Sequence, residues 1–310
     1  MDHSILDLLK RSAAIPSMPQ VAARFLEIVQ DPEFDYNEVV EVLSTDPGTA
    51  SELLRLANSP LFGVTRKITS LSQALTLLGL KRVRSLVLGR YIVDSIERKN
   101  TVTIDTSYYW RRSLTTAVLS AQFADPLEPQ LREEAFISGL LADIGIVVLD
   151  EALPDQYRPI AERYRPHGSV DLSETELQAI GVSHGQVSAM ILEHWRLPDV
   201  VCLAVRDHAL PPEADGKAAK NKLAPIVGAA DRIGKYLCET PNQADQVIEH
   251  CRQNMVSIGL EPSVLGRLLA EIEPQIADFA SVLKIDVISS KVYALIAQKL
   301  QEELNTAATA

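Results

Sequence analysis

Chemistry in this chain points first to one aspartate set among glycines in an apolar stretch, Gly139-Leu140-Leu141-Ala142-Asp143-Ile144-Gly145. Each glycine costs a helix about 1 kcal/mol relative to alanine, and a carboxylate among apolar neighbours carries a desolvation penalty unless it is paired. The stretch reads as the interior of one apolar helix in which something other than helix propensity has placed Asp143. Three residues elsewhere join it: His184 in the first turn of a later helix, His208 near the end of the next, and Asp231 in the helix beyond a polar loop. Carboxylates and imidazoles facing inward from separate helices are how bundle proteins assemble metal centres. No pair here has a local ligand spacing such as HxxxH, so the spacing leaves a second reading open, in which each is a hydrogen-bonded core residue.

The elements that must position these residues are helices. Apolar residues recur at helical spacing almost throughout, as in Val21, Phe25, Ile28 and Val29, and sustained period-two alternation is absent. Short β-branched runs such as Ile146-Val147-Val148 and Val200-Val201 sit inside longer helical patterns and read as buried helix faces. Asp46-Pro47 reads as an N-cap followed by proline at the first helical position, predicting a helix from Pro47 to Asn58. Ser70 with Gln73 makes a capping box, Gly79 is placed to end that helix in a left-handed conformation, and another helix begins near Lys81. Ser183 and Gln186 repeat the box, and Leu197-Pro198 divides the resulting helix from a neighbour running to His208. The interval Pro211 to Lys222 has no apolar periodicity and reads as an exposed loop. Leu223 to Leu237 and Asp286 to Leu304 read as amphipathic helices, and Asn305 to Ala310 as a frayed tail.

Composition bounds the function classes. In 310 residues, 46% hydrophobic and 23% charged describes an ordinary globular chain rather than a disordered one. No apolar stretch is long enough to span a membrane and the N-terminus lacks a cleavable leader, so the chain is expected in the cytoplasm with no membrane partner. Cys202, Cys238 and Cys251 form an odd set with no CxxC pair, which supports neither a disulfide framework nor a zinc ribbon. The net charge of −11 argues against non-specific nucleic-acid binding, which rests on basic surface. Yet Arg66 to Arg112 holds ten basic residues against three acidic ones, a local balance of +7.

Taken together, Ile15-Pro16-Ser17-Met18-Pro19, Asp46-Pro47, Leu54 to Pro60, Ile68 to Leu80, Trp110, Gly139 to Gly145, Gly181, His184, Trp195-Arg196-Leu197-Pro198, Asp207-His208 and Ala230-Asp231 resemble the HD superfamily of metal-dependent phosphohydrolases. The similarity is specifically to its signalling branch, the HDOD (HD-related output domain) proteins. The resemblance implies that active relatives carry a histidine ligand shortly after the residue matching Trp110, where this chain has Arg112. The histidine of their His-Asp doublet is replaced by Ala142, leaving Asp143, and of the core ligands only Asp143 and Asp231 remain. His184 and His208 match second-metal positions in some relatives, and Asp207 stands where a histidine is often found. Two oxygen donors without their imidazoles would hold a transition metal poorly, and Arg112 adds a permanent positive charge. The resemblance therefore implies a remnant pocket of Arg112, Ala142, Asp143, His184, Asp207, His208 and Asp231, with no catalytic residues and no resident cofactor, weak occupancy of a His184, His208 and Asp207 set by a divalent metal being left open.

The segment from Ser70 to Arg90 could be mistaken for a DNA-reading helix-turn-helix, but Ala74 and Gly79 are five residues apart rather than four. Leu75, Leu77, Leu78, Leu80, Val83, Leu86, Val87 and Leu88 look needed for a core. It reads as a helical subdomain with a solvated basic face, Lys81, Arg82, Arg84 and Arg90, that suits an anion or an acidic partner. Asn58 reads as a structural cap.

The expected fold is all-α: an N-terminal helical subdomain over 1–100, a degenerate HD-type bundle over 101–240, and C-terminal helices with a tail over 241–310. The expected function is a non-catalytic bacterial signalling module that binds other proteins. By resemblance those are components of two-component or cyclic-dinucleotide systems, acting in trans because the chain has no room for a fused receiver domain. The alternative is a phosphohydrolase of nucleotides or cyclic dinucleotides using Asp143, His184, His208 and Asp231, and a third is nucleic-acid or anion binding through residues 66–112.

Overall fold

Several helices of this protein begin where a side chain satisfies a first-turn N–H group, at Asp35, Asp46, Ser70, Asp105 and Ser183. The computed structural model describes residues 3–10, 12, 14–15, 18–31, 33–58, 64–97, 103–165, 172–210, 221–238 and 244–285. Their regular structure is helical throughout, with no strand among the described residues. The chain is all-α, and none of these helices is long and apolar enough to cross a membrane. Contacts group the chain into two units, one of residues 1–15, 100–276 and 287–310, the other of 16–99 and 277–286. This grouping by compactness differs from a division into three consecutive segments, because it returns a short C-terminal stretch to the N-terminal unit.

Helix α1 (His3–Lys10) belongs to the larger unit. The smaller one is built from α2 (Gln20–Gln30), α3 (Tyr36–Ser44), α4 (Pro47–Ala57), α5 (Leu71–Leu78) and α6 (Leu80–Glu97). Phe25, Leu43, Leu53, Leu75, Val83 and Val87 form its buried centre. Asp46 starts α4 by accepting from the Gly48 and Thr49 N–H groups at 3.0 and 3.2 Å, and the Tyr91 hydroxyl on α6 donates to its other oxygen at 2.6 Å. Asn58 is the structural cap expected of it: its side chain donates to Leu54 O at 2.7 Å and exchanges hydrogen bonds of 2.8 Å with both backbone groups of Ile68.

Four expectations in this unit need correction. Ser70 accepts from the Gln73 N–H, but the Gln73 side chain reaches Thr69 N–H at 3.1 Å rather than closing a box on Ser70. Gly79 has φ 76° and ψ 148°, a positive φ that favours glycine but is extended rather than left-handed helical. Leu77 is 38% exposed and Leu80 is half-buried, so neither is core. Arg90 is only 12% exposed; it pairs with Asp94 and donates to Leu283 O at 3.1 Å, so it serves this unit internally rather than presenting a basic face. Lys81 is exposed, Arg82 and Arg84 are half-buried.

In the larger unit, α7 (Thr106–Leu127) is the central helix, buried from Tyr108 to Ala124 except at Arg112. Around it come α8 (Arg132–Leu141), α9 (Ile144–Ala152), α10 (Pro154–Ala161), α11 (Leu172–Ile180), α12 (His184–His194), α13 (Asp199–Asp207), α14 (Leu223–Leu237) and α15 (Ala244–Ser257). The last, α16 (Leu265–Leu283), has its residues up to 276 in this unit. Ser183 and Gln186 form the full capping box, Pro198 separates α12 from its neighbour α13, and α14 spans the predicted residues. Cys202 and Cys251 are buried, and Cys238 is half-buried.

The stretch from Gly139 to Gly145 is not one helix. It breaks at Ala142 and Asp143, so that Asp143 sits in a turn between α8 and α9. Asn221, at the end of the interval read as exposed, is buried; it donates to Val200 O at 2.8 Å and accepts from the Leu223 N–H. Residues 211–220, 286–304 and 305–310, read as loop, helix and tail, lie outside the described residues.

Candidate functional site

Two glycines let the helices approach closely enough to bring the titratable side chains together. A Cβ on Gly145 would lie 2.2 Å from the His184 carbonyl oxygen, and one on Gly228 2.3 Å from that of His208. Any side chain at either place would push α9 from α12, or α14 from the end of α13. Ser188 on α12 locks the first contact: its hydroxyl donates to Ala142 O at 2.7 Å and accepts the Gly145 N–H at 2.8 Å. The break at Asp143 is therefore satisfied by a side chain more than forty residues away.

Arg112 projects from α7 into this cluster, with its side chain 11% exposed. Nε and Nη2 donate to Asp231 on α14 at 2.9–3.2 Å, engaging both carboxylate oxygens. Nε also stands 3.6 Å from Asp143 Oδ2, and the guanidinium lies 4.8 Å from the centre of the Tyr164 ring. Tyr164 in turn donates its hydroxyl to Asp143 Oδ2 at 2.7 Å. Burial opposes charge on Arg112, but Asp231, Tyr164 and Asp143 hold its pKa well above the ordinary value. Burial likewise opposes ionisation of Asp143, yet Arg112 and the two histidines hold it well below the usual carboxylate range.

On the other side of Asp143 stand the imidazoles. His184 Nε2 is 3.5 Å and His208 Nε2 3.6 Å from the same oxygen, Asp143 Oδ1. Each ring is fixed through its other nitrogen. His208 Nδ1 is 2.7 Å from Val205 O, and His184 Nδ1 is 2.7 Å from Glu176 Oε2. Glu176 on α11 is fully buried; it also accepts the His184 backbone N–H at 2.6 Å and the Tyr157 hydroxyl at 2.5 Å. Burial would lower the His184 pKa, but Glu176 and then Asp143 raise it to about 9.

The structure thus brings together Arg112, Asp143, His184, His208 and Asp231, with Ala142 buried at the same turn. It does not bring Asp207, which pairs with Arg206 and is 29% exposed. The set expected for a second cation, His184, His208 and Asp207, is corrected to His184, His208 and Asp143. Glu176 was missed by sequence reasoning, although a signal existed: Leu172, Glu176 and Ile180 share one buried face of α11, so the carboxylate occupies a core position.

Two places can be tested for a divalent metal. At the Arg112 end the donors do not suit one, because a guanidinium occupies both oxygens of Asp231. Beyond Asp143 they do. One atom each from Asp143, His184 and His208 lie within 4.8 Å of one another. Asp143 Oδ1 and His208 Nε2 are buried without a hydrogen-bond partner among the described residues. Nδ1 anchoring by a carboxylate and a carbonyl is the usual support for imidazole ligands. A cation there would polarise a bound water or an oxygen ligand. A proton on His184 would occupy much the same place electrically.

Residues 15–211 match the HDOD domain. The chain belongs to the HDOD family. A protein of Treponema pallidum (strain Nichols), itself uncharacterized, is 26% identical over 208 residues, covering 64% of this chain and 39% of that protein. This HDOD chain therefore spans well under half the length of that relative. Among solved structures, one from Shewanella amazonensis SB2B named a candidate phosphohydrolase is similar with TM-score 0.71 and 23% identity, covering 89% of this chain and 97% of the other. An HDOD domain protein of unknown function from Geobacter sulfurreducens gives 0.65 and 20% over 90% and 98%. A candidate signal-transduction protein from Marinobacter aquaeolei VT8 gives 0.65 and 19% over 90% and 65%. At these identities the structural likeness speaks for the HDOD fold.

Proposed function

We propose that this HDOD chain is a non-catalytic bacterial signalling module, acting in the cytoplasm by contact with other proteins of two-component or cyclic-dinucleotide systems. The observation that carries this reading is the Arg112 guanidinium bound to both oxygens of Asp231 and adjacent to Asp143. It fills with fixed charge the place where the resemblance puts a metal ligand, and so offsets two inward carboxylates that would otherwise repel one another. The Marinobacter neighbour, named for signal transduction, supports the same direction.

Hydrolysis is the test. Protein purified without chelator and supplied with Mn²⁺ is expected not to cleave bis(p-nitrophenyl) phosphate, nucleotides or cyclic dinucleotides. Turnover that is abolished by chelator and by Asp143→Ala would overturn the reading. Affinity capture from the native host should instead recover signalling proteins.

A second reading has its own observation, the unsatisfied Asp143 Oδ1 and His208 Nε2. It takes Asp143, His184 and His208 as a cation site, with the Shewanella neighbour's name in its favour. Metal analysis of the same preparation separates the two: stoichiometric iron, manganese or zinc lost in His208→Ala favours the cation, and Asp207→Ala should leave the content unchanged.

A further inference from the structure

At the C-terminal end of α7 a cavity of about 770 Å³ opens between that helix, the start of α8, the turn after α15 and the part of α16 up to Gln275. Its volume is that of a small-molecule site, where apolar walls surround a few placed polar groups. Leu127, Leu260, Val264 and Leu268 supply the apolar wall. Part of that wall is built in advance. Gly259, at φ 79°, ends α15, and the Leu260 N–H donates to Met255 O at 2.9 Å, which fixes Leu260 in place. On the rim Arg132 Nε pairs with Asp125 Oδ1 at 2.8 Å across the corner between α7 and α8. A wall already held by its own chain loses little entropy on occupancy.

The polar group placed in it is an acceptor. Gln122 lines the cavity while only 7% exposed, and its Oε1 is buried with no hydrogen-bond partner among the described residues. Four residues on, Pro126 lines the same cavity and has no N–H, so α7 withholds the usual helical donor from the Gln122 backbone carbonyl as well. Acceptors thus gather at one residue. A buried acceptor without a donor carries its full desolvation cost, which a donor brought by a ligand would recover. Charge does not select the occupant: three carboxylates, Asp125, Glu261 and Glu271, stand against two guanidiniums, Arg132 and Arg267, and give an anion no advantage.

We propose that this cavity binds a small uncharged molecule made of an apolar ring system with an N–H or O–H donor directed at Gln122 Oε1. The occupant bridges the end of α7 and α16. The site shares no residue with the Arg112 cluster, so hydrolysis, metal content and partner capture can come out either way without deciding its occupancy.

The test uses indole, an apolar bicycle with one N–H, and 1-methylindole, which keeps the rings and lacks the donor. Each is titrated into the full chain and followed by NMR through the side-chain amide of Gln122 and the methyl groups of Leu260 and Leu268. Indole is expected to give saturable shifts with a dissociation constant of about 1 mM or below, and 1-methylindole to bind about tenfold more weakly. Gln122→Met, which keeps the length of the side chain and removes the acceptor, should bind the two probes equally. Leu268→Trp, at a half-buried wall position, should fill the cavity and weaken indole by about tenfold or more, while Glu271→Gln on the rim should bind it as the wild type does. Absence of saturable shifts, equal affinity of the wild type for both probes, discrimination retained in Gln122→Met, or binding lost in Glu271→Gln would each overturn the assignment. If Gln122→Met fails to fold, the two probes on the wild type and Leu268→Trp carry the test, and undiminished indole binding in Leu268→Trp overturns it.

Discussion

Replacing Arg112 by alanine leaves Asp143 and Asp231 facing one another from a nearly dry site, and truncating one partner of a buried ion pair costs about 3–5 kcal/mol. Urea unfolding of Arg112→Ala should show a loss on that scale, and Asp231→Ala should show a smaller loss because Asp143 still faces the guanidinium. An equal stability of Arg112→Ala and wild type would mean that the network is ornamental. Ser188→Ala tests the turn itself. It strands the buried Gly145 N–H and should destabilise by about 1–3 kcal/mol, with hydrogen exchange at Gly145 rising by more than that of the α14 amides. The Ser188 contact is not legible in the sequence, because Ser188 reaches back across more than forty residues to satisfy a break that propensity alone does not announce. Asp207 misleads for the opposite reason. It is next to His208 in the chain, but neighbours on a helix point about 100° apart, and it turns to Arg206 while Asp143 arrives from another element.

At the scale of elements, local chemistry translates directly into boundaries. Asp46-Pro47, Ser183 with Gln186, and the span of α14 were all readable because capping and amphipathicity need only a few residues of context. The Gln73 side chain accepts from the Thr69 N–H at 3.1 Å in place of its expected donor, the Ser70 N–H, one residue further along the chain. The α4 cap carries a pH signature. Burial alone would raise the Asp46 pKa, but the hydrogen bonds from Tyr91, Thr49 and Gly48 outweigh it and leave it lowered. A depressed carboxylate contributes stability that is complete above its unfolded value of about 4 and is lost as pH falls through the lower folded value. The stability gap between wild type and Asp46→Asn, followed by urea unfolding, should therefore close on descending from pH 5 towards pH 2. A gap that widened with acid would contradict the assigned hydrogen bonds.

For the whole molecule the governing quantity is charge. At −11 overall, the chain should not shift random-sequence duplex DNA at micromolar protein and physiological salt, since such binding rests on basic surface displacing counterions. A salt-sensitive shift that disappears in Lys81→Ala with Arg82→Ala would revive the nucleic-acid alternative. With a captured acidic partner, Arg82→Glu with Arg84→Glu should slow association chiefly at low salt, the fold being checked by circular dichroism. Arg90 does not belong in that experiment, because its pairing with Asp94 and Leu283 makes it a packing residue. The sequence total could show the −11 and the local +7, but not which cations had been spent inside the fold.

The bond between Arg112 and Asp231 also acts as a ratchet on sequence change. Any single step from Arg112 to an uncharged residue strips the counter-charge from Asp231 before a cation can compensate, so the first move towards a metal-binding arrangement is penalised on its own. Histidine at 112 becomes tolerable only once a second ligand, such as histidine at Ala142, is already in place. The two substitutions should show strong positive epistasis in a double-mutant cycle read by metal affinity. Drift at this site is therefore expected to be one-way.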